Sequence, residues 1–112
     1  MDCLFCAIAN GEIPSKKVYE DDEILAFHDI DPQAPVHVLI IPKQHIKWAY
    51  DITPDNSAVV AHIFEKIPAI AKELGAEDGF RIVNNCGDIA GQSVKHLHYH
   101  LMAGRPFGWP AG

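Results

Sequence analysis

The chain has 112 residues, 48% of them hydrophobic, a length and composition that fit one compact domain. Its formal net charge is −6. The negative charge argues against binding to a nucleic-acid polymer, which needs many Lys and Arg contacts to phosphates, so any bound nucleotide should be small. No stretch is long and apolar enough to span a membrane, and Met1-Asp2-Cys3 lacks the basic start of a secretory signal, so we expect a cytoplasmic protein.

The first part of the chain predicts a short helix and three strands. Apolar residues recur at helical spacing ahead of Gly11, a residue type that commonly follows a helix end. Two segments rich in strand-forming residues, divided by Asp21-Asp22, are typical of a hairpin. A loop with two prolines then leads into a β-branched run that indicates a buried central strand. The predicted elements are a helix over residues 2–10 and strands over 18–20, 23–30 and 36–42.

The second part predicts one long helix and two more strands. Thr53-Pro54-Asp55 carries a capping hydroxyl, a proline suited to the first helical position and an acid in the first turn. Apolar residues at spacings of three and four continue to Gly75, and Pro68 should kink this helix without breaking it. Strands follow over 79–85 and 96–102. The sequence therefore predicts an α+β fold with a five-stranded, mostly antiparallel sheet, one face of which the long helix covers.

Three of the seven histidines alternate with hydrophobic residues in H-L-H-Y-H-L-M, residues 96–102. On a strand, His96, His98 and His100 would share one face, and buried imidazoles need partners. Three interpretations stay open at this point. The rings could be partnered without chemistry, they could bind a catalytic zinc ion, or one could be a nucleophile toward phosphorus with the others as hydrogen-bond donors.

The loop before these histidines, residues 86–93, has the composition of an anion site. Gly87 and Gly91 allow backbone amides to turn toward a common point, and Gln92 and Ser93 add side-chain donors. Alone, such a loop is equally consistent with an ordinary connection. Next to three histidines it favours phosphate.

These residues resemble a known family. The histidine run is similar to the signature of the histidine triad (HIT) superfamily, and further motifs resemble its nucleotide-binding branch, the HINT proteins. The resemblance implies the HIT fold, a two-fold homodimer, and hydrolysis of purine nucleoside 5′-phosphoramidates through a covalent nucleotidyl-histidine. The motifs that carry the branch are F-H-D-I-D-P-Q-A-P-V-H-V-L-I-I-P-K-Q-H-I (27–46), G-Q-S-V (91–94) and W-P-A-G (109–112).

The resemblance also implies roles for individual residues. His98 would be the nucleophile, His100 would contact the phosphate and the leaving group, and His37 would complete the catalytic cluster together with Ser93. Asp29 would hold the ribose hydroxyls, a role that suits an ionised carboxylate because it accepts hydrogen bonds from two adjacent O–H groups. The other residues of the implied AMP-type or GMP-type nucleotide site are Phe27, His28, Ile30, Asn85, Gly91, Gln92 and Val94.

Cys3-x-x-Cys6 raises the question of a metal. The pair needs two more ligands to close a tetrahedral zinc site. The resemblance implies that His45 and His96 supply them, so that the zinc would be structural, and Cys86 would take no part. Alternatively, the two thiols simply pack the N-terminal helix into the core.

The leading interpretation is hydrolysis of a purine nucleoside 5′-phosphoramidate to the monophosphate and an amine. Two rivals stay open. One is a nucleotide-binding or scaffold protein whose slow hydrolysis is incidental, and the other is a zinc-dependent hydrolase that uses the histidine triad as metal ligands.

Overall fold

The computed structural model describes residues 3–112, and Asp2, the predicted start of the first helix, lies outside the described residues. Five antiparallel strands form one sheet in the order β1-β2-β3-β5-β4. None of the helices within residues 3–112 has the length and apolar character needed to cross a bilayer. The elements are α1 (Leu4–Ala9), β1 (Lys17–Glu20), β2 (Ile24–His28), β3 (Val36–Pro42), α2 (Ser57–Glu73), β4 (Arg81–Val83) and β5 (Tyr99–Ala103), with short 3₁₀ turns at Ala49–Asp51 and Asp88–Ala90.

The long helix α2 covers one face of the sheet, as the sequence predicts. Its buried stripe packs on every second residue of the central strands, because alternate side chains of a strand point to the same face. Pro68 lies inside the helix, which continues past it. The buried cluster joins Val59, Ile63, Ile67 and Ile70 of α2 to Ile24, Ala26, Val38, Ile40, Tyr99 and Leu101 of the sheet.

The short helix α1 covers the opposite face. Cys3 caps it, since the Cys3 Sγ atom accepts a hydrogen bond from the Cys6 amide at 3.3 Å. Phe5 and Ile8 are buried against the residues of β2 and β3 that α2 does not cover, namely Leu25, Phe27, Leu39 and Ile41. The two hydrophobic clusters therefore sandwich the sheet, and His37, which shares the face of Leu39, lies on the α1 side.

The predicted start of α2 is wrong by three residues. The helix begins at Ser57 after a turn, and Thr53 is not its cap. The Asn56 side chain accepts from the Thr53 amide at 2.8 Å and donates to the Asp51 carbonyl at 3.0 Å. These bonds hold residues 51–56 in a turn. The side-chain amide of Asn56 therefore stabilises a non-helical conformation at the residues where the sequence predicts the start of the helix.

The predicted strands over 23–30, 79–85 and 96–102 are too long. The last one begins at Tyr99, so His96 and His98 precede the ladder. The reason is tertiary: the Leu97 amide donates to the Ile46 carbonyl at 2.6 Å, beyond the end of β3. The alternation nevertheless survives, since Leu97 is buried in the α2 cluster while His98 contacts Phe5 of α1.

Candidate active site

Three histidines meet on the α1 face of the sheet. In the antiparallel pair of β3 and β5, His37 lies opposite Met102 and His100 lies opposite Leu39. His37 and His100 are thus diagonal neighbours on one face, close enough to interact. The ring centroids of His37 and His100 are 5.1 Å apart, and those of His98 and His100 are 5.0 Å apart.

A chain of hydrogen bonds assigns the protons of His37 and His100. The Gln33 backbone N–H donates to His37 Nδ1 at 3.0 Å, so a neutral His37 carries its proton on Nε2. His37 Nε2 lies 2.9 Å from His100 Nδ1 and donates to it. His100 in turn carries its proton on Nε2. This places an N–H donor at the end of the chain, available to an oxygen of a bound phosphate.

His98 has the opposite arrangement, which leaves it a free lone pair. Its Nδ1 lies 2.7 Å from the backbone carbonyl of His96, and because a carbonyl only accepts, Nδ1 carries the proton. A neutral His98 therefore presents an unprotonated Nε2. The ring is held further by Phe5, which packs edge-on with the centroids 5.1 Å apart, and the Asn84 amide donates to the His98 carbonyl at 2.9 Å.

Burial keeps these rings neutral at physiological pH. Burial lowers the pKa of His98 and of His37 below the ordinary histidine range, although the carboxylate of Asp29 opposes the change. The pKa of His100 is lowered to about 4, first by burial and then by His98 and His37. A neutral imidazole with one nitrogen held protonated is the form that attacks phosphorus.

Next to the cluster lies a cavity of about 690 Å³, a size suited to a small ligand. Phe27, His28, Asp29 and Ile30, all predicted to bind nucleotide, line it. Phe27 is buried, whereas Ile30 is fully exposed at the rim. The sequence analysis missed the other residues of the lining, which are Ile8, Pro14, Ser15 and Lys16.

Asp29 joins this cavity to the histidine cluster. Its Oδ2 lies 3.5 Å from His37 Nε2, and its Oδ1 accepts from the Asp31 amide at 2.8 Å. The side chain keeps 17% of its surface exposed, so lone pairs of the carboxylate stay open to a ligand. We call this space, lined by residues 8, 14–16 and 27–30, the nucleoside cavity, after the ligand that the family resemblance predicts for it.

The glycine-bearing loop leads from β4 to the histidines. Gly87 and Gly91 both have positive φ, at 88° and 89°, a conformation that favours glycine. The Gln92 side chain is buried and works inside the loop, because it donates to the carbonyls of Lys47 and Val94 and accepts from the Gly87 amide. Gln92 thus holds the loop in shape, while Ser93 is exposed and Asn85 half-buried beside it.

The second cluster of chemically active side chains is formed by Cys3, Cys6, His45 and His96. The four ligand atoms all lie within 4.8 Å of one another. His96 Nδ1 lies 3.4 Å from Cys3 Sγ, 3.5 Å from Cys6 Sγ and 3.3 Å from His45 Nδ1, and Cys6 Sγ lies 3.2 Å from His45 Nδ1. Burial and the neighbouring Cys3 thiol raise the pKa of Cys6 to about 11.

This donor set fits a tetrahedral zinc ion. With Zn–S near 2.3 Å and Zn–N near 2.05 Å, tetrahedral geometry separates sulfur from nitrogen by about 3.6 Å and nitrogen from nitrogen by about 3.3 Å. The four separations given above lie within about 0.4 Å of these values. The fully buried His96 donates from Nε2 to the Pro42 carbonyl at 2.8 Å, which directs the lone pair of Nδ1 at the cluster. Such an outer hydrogen bond is typical of metal-binding histidines.

Asp29, His37 and His100 also bring three potential ligand atoms together, but their hydrogen bonds oppose a metal. The Gln33 amide occupies His37 Nδ1, so His37 Nε2 carries a proton and offers no lone pair. The 2.9 Å separation from His100 Nδ1 is that of a hydrogen bond. The geometry therefore favours acid–base or nucleophilic chemistry at this cluster over metal binding.

Comparison with known proteins identifies the fold and its signature. The family profile described as HIT domain matches residues 10–107. An uncharacterised HIT-like protein of Synechocystis sp. is 49% identical over 111 residues, covering 99% of this chain and 97% of that protein.

Solved structures agree with this result. A HIT family hydrolase from Legionella pneumophila has 48% identity and a TM-score of 0.96, covering 99% of this chain and 100% of that one. A histidine triad nucleotide-binding protein from Candida albicans has 36% identity and a TM-score of 0.83, covering 99% and 85% of the two chains.

Proposed function

Because the chain belongs to the HIT domain family, we propose that it hydrolyses purine nucleoside 5′-phosphoramidates, releasing the nucleoside monophosphate and an amine. The observation that carries the proposal is the pair of tautomers. His98 Nε2 has a free lone pair because Nδ1–H is bonded to a carbonyl, and His100 Nε2 has a proton to donate. A nucleophile and a donor thus stand side by side.

The reaction has two displacement steps. His98 Nε2 attacks the phosphorus, the P–N bond breaks, and the nitrogen takes a proton from solvent as the amine leaves. Water then attacks the nucleotidyl-histidine, its oxygen forms the new P–O bond, one of its protons returns to solvent, and His98 leaves with its lone pair restored. Across both steps one phosphoramidate and one water give one nucleotide and one amine. His100 Nε2–H donates to the phosphate oxygens and stabilises their charge. This stabilisation requires a donor that is in position before the reaction begins.

Binding would come from the nucleoside cavity. A purine would contact Phe27 and Ile8, both buried apolar residues of its wall, and the ribose hydroxyls would donate to Asp29. The similarity to the histidine triad nucleotide-binding protein from Candida albicans supports a nucleotide in this place.

We also propose a structural zinc ion held by Cys3, Cys6, His45 and His96. When bound, it would supply no chemistry to the reaction, since four protein ligands leave no open position for substrate. It would tie α1 to the segment after β3 and to the approach to β5. Elemental analysis of carefully purified protein should find about one zinc per chain.

Self-association is the last part of the proposal. Strands β1 and β4 are the edges of the sheet, and an edge strand offers unpaired backbone groups to a second copy. A two-fold homodimer would cover such an edge. Light scattering that gives the mass of one chain at micromolar concentration would refute this part alone.

Turnover of a panel of adenosine and guanosine phosphoramidates tests the proposed activity. The unmodified protein should hydrolyse them, and His98→Ala should lose about 10³-fold or more in kcat while its AMP affinity stays close to that of the unmodified protein. Near-normal turnover by His98→Ala would refute the nucleophile. Binding of AMP without turnover of any compound by the unmodified protein would instead favour the nucleotide-binding or scaffold rival.

A further inference from the structure

A second cavity lies at the other end of α1 from the nucleoside cavity. Cys3 and Leu4, at the start of the helix, line this space of about 450 Å³, whereas Ile8, near the helix end, lines the nucleoside cavity. Between the two ends, Phe5 packs on His98. The two cavities therefore flank the residue that contacts the proposed nucleophile. We call the second space the lysine cavity.

Two lysines and a serine give the lysine cavity its chemistry. Lys47 and Lys95 line it together with Ser93, the predicted phosphate-side residue. Its lining is Cys3, Leu4, His45, Lys47 and residues 93–95, so it shares no residue with the three-histidine cluster and shares Cys3 and His45 with the proposed zinc site. Because Ser93 lies in its wall, a group that extends from the phosphate past Ser93 would enter this cavity.

The local charge of the lysine cavity is positive in a chain whose net charge is −6. Lys95 Nζ donates to the Asp88 carboxylate and to the Gln92 carbonyl. Asp88 is highly exposed, and its pKa is lowered by Lys95 and to a smaller extent by Lys47. Asp88 thus pairs with Lys95 and not with Lys47. Lys47, whose Nζ lies 4.3 Å from the centre of the Trp48 ring, keeps its charge uncompensated by any carboxylate bond in the described structure.

We propose that the lysine cavity binds the leaving group of the substrate and selects amines that carry an anionic group. This inference rests on the proposed function: with the nucleoside beside Asp29 and the phosphorus at His98, the group beyond the P–N bond needs a third place. The cavity volume suits an amine of amino-acid size, and Lys47 would pair with its carboxylate or phosphonate.

Four adenosine 5′-phosphoramidates with similar alkyl chains test the inference. Their amines are 4-aminobutyrate, 3-aminopropylphosphonate, butylamine and 1,4-diaminobutane, so the far end is anionic in two, neutral in one and cationic in one. The unmodified protein should give the highest kcat/KM with the anionic pair and the lowest with the diamine. Of the two anionic substrates, one should lose more kcat/KM when Lys47 is replaced. That substrate carries the group, carboxylate or phosphonate, that fits the lysine cavity better.

The decisive variant is Lys47→Met. It should lower the ratio of kcat/KM between 4-aminobutyrate and butylamine substrates about three- to fivefold, the upper part of the range of one exposed ion pair, and leave the butylamine substrate unchanged within about twofold. Lys47→Arg should restore the ratio. Lys72→Met, in the last turn of α2 on the other side of the sheet, is the matched control and should leave the ratio unchanged.

Two outcomes would overturn the inference, and they can be told apart. If the unmodified protein hydrolyses all four compounds but Lys47→Met leaves the anionic-to-neutral ratio unchanged, the lysine cavity does not select the leaving group and the proposed function stands. If the unmodified protein hydrolyses none of the four, the proposed function fails and this inference fails with it.

Discussion

Removing one thiol from the cysteine–histidine cluster should destabilise the whole domain without removing a reacting group. Cys3 Sγ lies 3.4 Å from His96 Nδ1, so Cys3→Ala deletes one of four proposed zinc ligands. A ligand present at about 100 times its dissociation constant stabilises a fold by about 2.7 kcal/mol. For a domain of this size, losing most of this stabilisation free energy lowers the melting temperature by about 10 °C. Activity at low temperature should largely persist.

Cys3 has a second role that the experiment must separate, because its Sγ also caps α1 by accepting from the Cys6 amide. Cys3→Ser keeps an oxygen acceptor for this cap but is a poor zinc ligand, so it should melt close to Cys3→Ala. Cys86→Ala, at a thiol outside the cluster, is the matched control and should shift the melting temperature by no more than about 3 °C.

Thermal melting followed by circular dichroism, with and without a chelator, gives the comparison. The chelator should lower the melting temperature of the unmodified protein toward that of Cys3→Ala and barely affect the variant. Zinc-free protein by elemental analysis, or Cys3→Ala as stable as the unmodified protein, would refute the metal site and return both thiols to core packing.

Two further predictions concern carboxylates. Asp29→Asn should weaken binding of AMP by about tenfold but of its 2′,3′-dideoxy analogue much less, because the analogue has no ribose hydroxyls to donate to the carboxylate; equal losses in calorimetry would contradict this role. Burial alone would raise the pKa of Asp21, but hydrogen bonds from His62, Tyr19 and two backbone amides outweigh it and hold that pKa well below its ordinary value. The stability that Asp21 contributes is therefore present above about pH 4 and lost on further acidification. Asp21→Asn should flatten the fall in melting temperature between about pH 4 and pH 2. An unchanged slope would exclude this contribution from Asp21.

The strands and both helices could be predicted because their patterns are local. Alternation in the β-branched run of β3 and the apolar stripe of α2 depend only on the period of each element. Their ends depend on contacts that no local pattern shows. The turn before α2 is held by the Asn56 amide, and the start of β5 is delayed by the bond from Leu97 to Ile46.

The candidate site likewise combines side chains that the sequence predicts with backbone contacts that it does not. The alternation over 96–102 and the family resemblance point to His98, His100 and His37, and the structure brings these three rings together. The backbone groups that fix their protons carry no sequence signal. The Gln33 amide and the His96 carbonyl act through main-chain atoms, which any residue type would offer.

The lysines in the walls of the two cavities were not predicted from the sequence. Lys16 reaches the nucleoside cavity because its carbonyl pairs with the His28 amide at 3.0 Å, which sets the β1 segment beside β2. Lys47 and Lys95 are 48 positions apart and share a cavity because the Gln92 side chain bonds the Lys47 carbonyl and the Leu97 amide bonds the Ile46 carbonyl. A lysine pair at such a distance has no pattern to recognise.

The covalent step is the central claim, and direct observation of the adduct tests it. Protein mixed with excess adenosine phosphoramidate should be quenched within its first turnovers at alkaline pH, digested with trypsin and analysed by tandem mass spectrometry. We expect one adenylyl group on the peptide that begins at His96, located on His98, and no adduct with His98→Ala. An adduct on His100, or rapid turnover with no adduct at any quench time, would contradict His98 as the nucleophile.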